Sequence, residues 1–302
     1  AAAAGNVTTA GTEAPETTTE ESFVPVVEGD PLPGADCAQG NIGMIFLNPI
    51  MEIDEGYFYN SITPDLLSLH YHDKETDKTI YLCAKPECLH DGNDFCTATT
   101  ARYKPITTLL YGDKIYMSVI DQVEYEKENY VMKLIAASLD GTSLSEVAEV
   151  VKVTADSKLS MFNIMGSRQS MVIHRGKALV PYDMWSNATG ESSMVCGYAV
   201  IDLATGNVDH REESSDMIGS HFIADGNGFY YRTVRSGKNP GSVYDISTYY
   251  DVWRYDIREK KSHKLNVYES YLACLGHDSS MPKLTMFAVA DGKIYYSPGD
   301  LS

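Results

Sequence analysis

Basic residues are missing from one end of this chain: no lysine or arginine precedes Cys37. Seven acidic residues lie in that stretch, so it carries −7 of the formal charge of −18 and the remainder about −11. A surface of this sign repels phosphate backbones, which excludes nucleic acid as an expected partner. No apolar run approaches the roughly 20 residues that cross a bilayer as a helix. No G-x-S-x-G elbow, P-loop or dinucleotide fingerprint occurs, so the sequence offers neither a familiar nucleophile nor a phosphate cradle. Large apolar rings are few, with 2 Trp and 8 Phe; tyrosine, at 21, takes their place. Tyrosine favours strands and combines an apolar ring with a polar tip. The bias therefore points to many half-exposed strands rather than a helical bundle.

With 302 residues, 43% of them hydrophobic, the chain can bury a sizeable core. Residues 1–35 are the exception. They are rich in Thr, Glu and Ala, include Pro15, Pro25, Pro31 and Pro33, and have too little apolar surface to offset the entropy of ordering. They read as a flexible acidic tether, and residues 36–302 as the folded domain.

Within the folded part a Gly-containing turn repeatedly precedes an aromatic or apolar strand. The copies are Asp54–Tyr59, Tyr111–Tyr116, Arg175–Val180, Asp225–Tyr231 and Asp291–Tyr296, with turn glycines 56, 64, 50 and 66 residues apart. Glycine suits such turns because two-residue hairpin connections require positive φ. A short apolar strand precedes each copy, Met44–Leu47 and Thr285–Val289 being examples. A third strand follows the first four, as in Val131–Ile135, Gly197–Ile201 and Val252–Tyr255, and then a more polar fourth, as in Lys261–Val267. Four strands per unit of 50–65 residues predict an all-β chain: a β-propeller of four-stranded blades, four complete and a partial fifth. One such sheet cannot bury both faces alone, and radial stacking covers them. A β-sandwich with long loops is the other architecture considered. It would not require the turn to recur at this spacing. The fifth copy reaches Ser302 after two strands, so ring closure is expected from a continuing chain rather than from residues 36–50 completing the last blade.

The segment Asp-Gly-Lys-Ile-Tyr-Tyr at 291–296, with its relative at 225–231, resembles the repeat of surface β-propeller proteins of clostridia-type gut bacteria. The opening Ala1-Ala2-Ala3-Ala4-Gly5 and the polar stretch after it resemble the mature end of a bacterial surface lipoprotein just beyond its lipidated cysteine. These resemblances imply a Gram-positive cell-surface location, a monomer, and contact with the membrane only through an N-terminal lipid. They imply no particular chemistry.

Three of the six cysteines fall in fourteen residues, as Cys83, Cys88 and Cys96 with His90 between them, spaced C-x4-C-x-H-x5-C. Three thiolates and an imidazole would fill a closed tetrahedral site for structural zinc. A disulfide within the same segment, or free thiols, are the alternatives that spacing leaves open. The segment also resembles a cysteine–histidine insertion in the same surface proteins. Cys196 and Cys274 stand alone near strands and read as buried small hydrophobes. The oxygen-rich Asp91-Gly92-Asn93-Asp94 lacks the spacing of a calcium loop and reads as an Asx turn.

Other chemistry-bearing residues have structural explanations. His70 and His72 share a strand face, yet no third ligand is assigned. Glu52, Asp54 and Glu55 crowd a turn rather than flank a cleft. Gly276–Ser280 holds His, Asp and Ser too close in sequence for a triad. Aromatic residues in long connections are the candidate ligand surface: Tyr182 and Trp185, with Asn187, in the third repeat, and Tyr244, Tyr249 and Tyr250 in the insertion Arg235–Tyr250. Packing between blades is the competing role for these rings. The composite expectation is a non-enzymatic binding or scaffold propeller for a glycan, peptide or protein, requiring no cofactor. A secreted glycoside hydrolase or lyase using the centre of the ring is the alternative.

Overall fold

Alternation of side chains along single strands determines how the sheets stack. A computed structural model of the chain describes residues 50–63, 66–93, 96–127, 129–154, 159–160, 171–186, 193–214, 217, 222–238, 246–265, 286–290 and 293–297. Residues 1–49, including Met44–Leu47, lie outside these residues, as does Gly276–Ser280.

The first blade comprises β1 (Met51–Glu52), β2 (Gly56–Thr63), β3 (Leu66–Asp73) and β4 (Lys78–Tyr81), with β5 (Thr99–Thr100) also pairing β3. The second runs β6 (Tyr103–Tyr111), β7 (Lys114–Asp121), β8 (Tyr130–Ser138) and β9 (Leu144–Val153) in that order, with the short helix α1 (Gln122–Tyr125) after β7. In the third, β10 (Leu159–Ser160) and β11 (Val172–His174) both pair β12 (Lys177–Ser186), followed by β13 (Ser193–Asp202) and β14 (Val208–Ser214). The fourth is β15 (Ile223–Asp225), β16 (Gly228–Lys238), β17 (Ile246–Asp256) and β18 (Lys261–Leu265). A fifth sheet has two strands, β19 (Met286–Ala290) and β20 (Lys293–Ser297). Each of the five turn-plus-strand repeats contributes the second strand of its sheet.

Strand β7 sends Ile115, Met117 and Val119 into a core shared with Phe58, Leu67 and Leu69 of the first blade. Its alternate residues Tyr116 and Ile120 enter a second core, with Ile173, Val180 and Tyr182 of the third. In β13, Ala199 and Ile201 face that second core, while Cys196, Tyr198 and Val200 face a third with Phe229, Tyr231 and Tyr255 of the fourth blade. Period-two alternation thus gives each middle sheet two apolar faces, and every seam joins consecutive sheets. Four-stranded antiparallel sheets stacked face to face in chain order are the blades of a β-propeller.

The turns follow two rules. Between β11 and β12, Arg175 and Gly176 both take positive φ, at 50° and 68°, as a two-residue hairpin connection demands. Gly56 differs from the expectation, because its φ is not positive. A Cβ there would collide with the His72 carbonyl oxygen and the Tyr71 ring, so close approach across β2 and β3 explains this glycine. The turn from third to fourth strand is closed in all four blades by an aspartate that accepts backbone N–H bonds. Asp73 accepts from Thr76 at 2.7 Å, Asp140 from Thr142 at 3.0 Å, Asp202 from Ala204 at 2.9 Å and Asp256 from Arg258 at 2.8 Å.

The insertion Arg235–Tyr250 is not the long loop expected. Its arms continue the β16–β17 hairpin, with Arg235 opposite Tyr249, Val234 opposite Tyr250 and Lys238 opposite Ile246. Backbone pairing costs the chain less than leaving those polar groups unmatched.

Candidate metal centre

The cysteine segment is an excursion from the edge of the first blade. It leaves at the end of β4 and returns as β5, where Ser68 faces Thr99 and Leu67 faces Thr100. Both ends are held by β3, through Leu82 N–H to Leu69 O at 2.9 Å and Leu69 N–H to Ala98 O at 2.8 Å. Between these anchors Ala84, Lys85, Pro86, Glu87, Leu89 and Asp91 are exposed, and Leu89 is 82% accessible. The chain reverses by tight turns: Cys88 N–H donates to Lys85 O at 3.2 Å and Cys96 N–H to Asn93 O at 3.1 Å. His90 and Gly92 adopt left-handed backbone, with φ of 53° and 86°.

These turns aim four side chains at one point. The Sγ atoms of Cys83, Cys88 and Cys96 and a ring nitrogen of His90 all lie within 4.8 Å of one another. His90 Nδ1 is 3.4 Å from Cys96 Sγ, and Thr99 N–H donates to that sulfur at 3.1 Å. Cys96 is buried and the other three are partly so. The His90 ring stacks on Tyr81, centroids 4.5 Å apart, at the end of a row in which His70 lies between Tyr59 and Tyr81. Burial acts to raise the Cys83 thiol, but hydrogen bonds with Thr97, the Lys85 N–H and Cys88 outweigh it and bring its pKa down to about 6. The His90 N–H acts to lower Cys88, yet desolvation and the neighbouring sulfurs raise it on balance. An open groove of about 570 Å³ adjoins the cluster, lined by Lys85, Pro86, Glu87, Cys88, Leu89 and Asn93.

The cluster also touches the next blade. Gly141, in the β8–β9 turn, accepts from Ala84 N–H at 3.0 Å and from Thr97 Oγ1–H at 2.7 Å. Its φ is +70°, and a Cβ would sit 2.8 Å from Cys83 N and 2.9 Å from Leu82 C. Nothing in the spacing of the cysteines signalled this contact, which joins residues more than forty apart.

The remaining sequence candidates fall elsewhere. His70 Nε2 pairs with Ser61 Oγ at 3.0 Å and His72 Nδ1 with Thr79 Oγ1 at 3.0 Å, so both serve the sheet. Glu52 accepts from Lys74 Nζ at 2.8 Å; that ammonium lowers its pKa, and it also donates to Ile53 O, which is turn chemistry. Asp91 accepts from Asn93 N–H at 3.3 Å in the expected Asx turn. Cys196 is buried, and burial beside Asp183 pushes its thiol up. Tyr182 is fully buried in the seam between second and third blades, its hydroxyl donating to Glu213 at 2.9 Å, so its ring has the packing role. Trp185 lies in β12 opposite Met194, and Tyr249 and Tyr250 lie in β17. Tyr244, Asn187, Cys37 and Cys274 are outside the described residues.

The described residues therefore define a β-propeller chain bearing a Cys3His cradle on the rim of its first blade. No family model and no curated protein matches the sequence. Among solved structures the chain is similar to the β-propeller domain of the Trilobed protease from Pyrococcus furiosus, at 11% identity and a TM-score of 0.39 over 83% of this chain and 78% of that one. It is also similar to an acylaminoacyl peptidase, at 12% identity and 0.41 over 75% of this chain, and spans only 34% of that peptidase. An α-L-arabinanase from Penicillium chrysogenum gives 10% identity and 0.36 over 74% of this chain and 67% of that one.

Proposed function

We propose that this chain is a non-catalytic binding or scaffold propeller, held outside a Gram-positive bacterium by its acidic N-terminal tether, that recognises a glycan, peptide or protein. The observation that supports it is where the acidic side chains are spent. Asp121 accepts from Arg102 and Lys133, Asp202 and Asp209 enclose Lys177, Asp251 pairs with Lys264, and Glu212 takes the hydroxyls of Tyr198 and Tyr231. These groups fasten strands and sheets, whereas acid–base catalysis needs carboxylates free to face a substrate. The recognition surface proposed is the rim beside the cysteine excursion, where Leu89 is exposed on the groove and Tyr81 is exposed against His90.

The test is a glycan array and a peptide pull-down with the full chain, run beside a polysaccharide turnover assay. Saturable binding weakened tenfold or more by Leu89→Asp is expected. Absence of any ligand at sub-millimolar concentration, or release of reducing ends from a polysaccharide, would overturn the reading.

A further inference from the structure

We propose that Cys83, Cys88, His90 and Cys96 bind one zinc ion in a closed tetrahedral site, and that this ion fastens the first blade to the second. The inference is independent of what the propeller recognises.

Geometry and donor chemistry both point to zinc. Zinc bonds of about 2.3 Å to sulfur and about 2.0 Å to nitrogen place neighbouring tetrahedral ligands about 3.5–3.8 Å apart. The observed Nδ1–Sγ separation of 3.4 Å already meets that figure, and the 4.8 Å limit on the whole group leaves only a small contraction for the widest pairs. Three sulfurs and one imidazole form a soft donor set, which suits zinc and not calcium or magnesium. The three thiols are unbonded to one another. A disulfide would use two of them and leave the third beside the imidazole with no role. All four positions are filled by protein, so the ion would be structural, with no open position for substrate. The Thr99 N–H on Cys96 Sγ and the Tyr81 ring on His90 supply the outer contacts that orient such ligands.

The local fold leaves a stabilising task unfilled. Much of the excursion is exposed, and it contains a non-glycine residue, His90, in left-handed backbone. Its apolar contacts are few: Cys96 is buried in the first core, and Cys83 and Cys88 pack at the edge of it. A metal bound only by the folded arrangement would stabilise it by mass action. The two anchors on Gly141 O flank the cluster, one from Ala84 next to Cys83 and one from Thr97 next to Cys96. Drawing Cys83 and Cys96 onto one ion would fix both donors against the second blade together.

The experiment uses the full chain purified under reducing conditions without chelator. Elemental analysis is expected to give close to one zinc per chain, and cobalt exchange the visible absorption of a tetrahedral thiolate complex. Cys88→Ser and Cys96→Ser should lose most of the metal, His90→Cys should keep it as a four-sulfur site, and Cys196→Ser should keep it unchanged. Should the serine variants fail to fold, wild-type stoichiometry and the cobalt spectrum still decide. Less than about one-fifth of a zinc per chain after reconstitution, or a disulfide between any two of the three cysteines in freshly reduced and reoxidised protein that excludes the metal, would overturn the site. For the fastening role, chelation should speed amide exchange in residues 138–144 by about tenfold or more. Exchange confined to residues 83–97 would overturn that role.

Discussion

Replacing Gly141 by alanine tests whether the cysteine excursion truly bears on the second blade, and Gly176 supplies the internal reference. Both glycines lie in turns with nearly equal φ, +70° and +68°. An L side chain in left-handed backbone costs about 1–2 kcal/mol, partly offset by about 0.4–1 kcal/mol from a less flexible unfolded chain. Around Gly176 nothing lies within 4 Å of the added Cβ, so Gly176→Ala should show that small net cost alone. At Gly141 the added carbon meets only backbone: Cys83 N at 2.8 Å, Leu82 C at 2.9 Å and Cys83 Cα at 3.0 Å. Backbone cannot rotate away as a side-chain tip can, so the two segments must part. Forcing them apart costs about 1–3 kcal/mol, and stretching the two hydrogen bonds to Gly141 O adds about 0.5–1.5 kcal/mol each. Gly141→Ala should therefore be less stable than Gly176→Ala by about 2–6 kcal/mol, or roughly 4–24 °C in Tm at about 2–4 °C per kcal/mol. Differential scanning fluorimetry and urea titration of the two variants measure it. Equal midpoints would refute the contact.

Three further outcomes follow from the charged and phenolic groups. Hydrogen bonds from His210, Tyr198, Tyr231 and Ser262 overcome the effect of burial and hold Glu212 down at a pKa of about 2. A carboxylate depressed in the folded state contributes stability above its unfolded value, here 4.5, and loses it as pH falls toward 2. The full shift corresponds to at most about 3 kcal/mol, and about 1–2 kcal/mol once its partial exposure is allowed for. The Tm gap between wild type and Glu212→Gln should shrink steadily from pH 6 to pH 2.5, and a constant gap would refute it. Asp121→Ala removes a fully buried carboxylate that pairs with Lys133 at 2.8 Å and caps α1 through Val123 N–H at 3.1 Å. Leaving the largely buried Lys133 with less compensation should cost about 3–5 kcal/mol in urea unfolding. Tyr182→Phe deletes one buried hydroxyl and should cost about 1–2 kcal/mol while leaving ligand binding unchanged in the array assay.

The repeat was legible because each blade buries both faces of its second strand, so that successive residues there are apolar or aromatic, and because that strand begins at a turn few residues tolerate. Gly176 announced its own conformation, whereas Gly56 announced a turn while serving a close approach that depends on the distant His72. The four aspartates after the third strands form an equally regular signal, but it emerges only once the four sheets are compared. Asp73 and Asp256 have no glycine in the turn to set them apart from surface acids, whereas Asp140 and Asp202 do, in Gly141 and Gly206. The cysteines could be grouped from spacing, but their partner on the second blade could not, since Gly141 is an ordinary Asp-Gly turn in sequence. Tyr182 looked like a ligand aromatic because sequence gives no depth: the same ring and hydroxyl serve a pocket or a seam, and the Glu213 that accepts its hydrogen bond lies on another strand. The Arg235–Tyr250 segment, read as a loop, shows that residues far along such a segment can still pair through backbone, as Arg235 does with Tyr249 and Lys238 with Ile246.

Because β7 and its neighbour β8 each send alternate residues to opposite sides, these two strands carry the mechanical connection between two separate apolar interfaces. A strain introduced where the first and second blades meet can reach the third through shifts of those strands. The molecule should then yield in series, one interface after the next, rather than all at once. The rim of the first blade would be the place where loosening begins or is prevented.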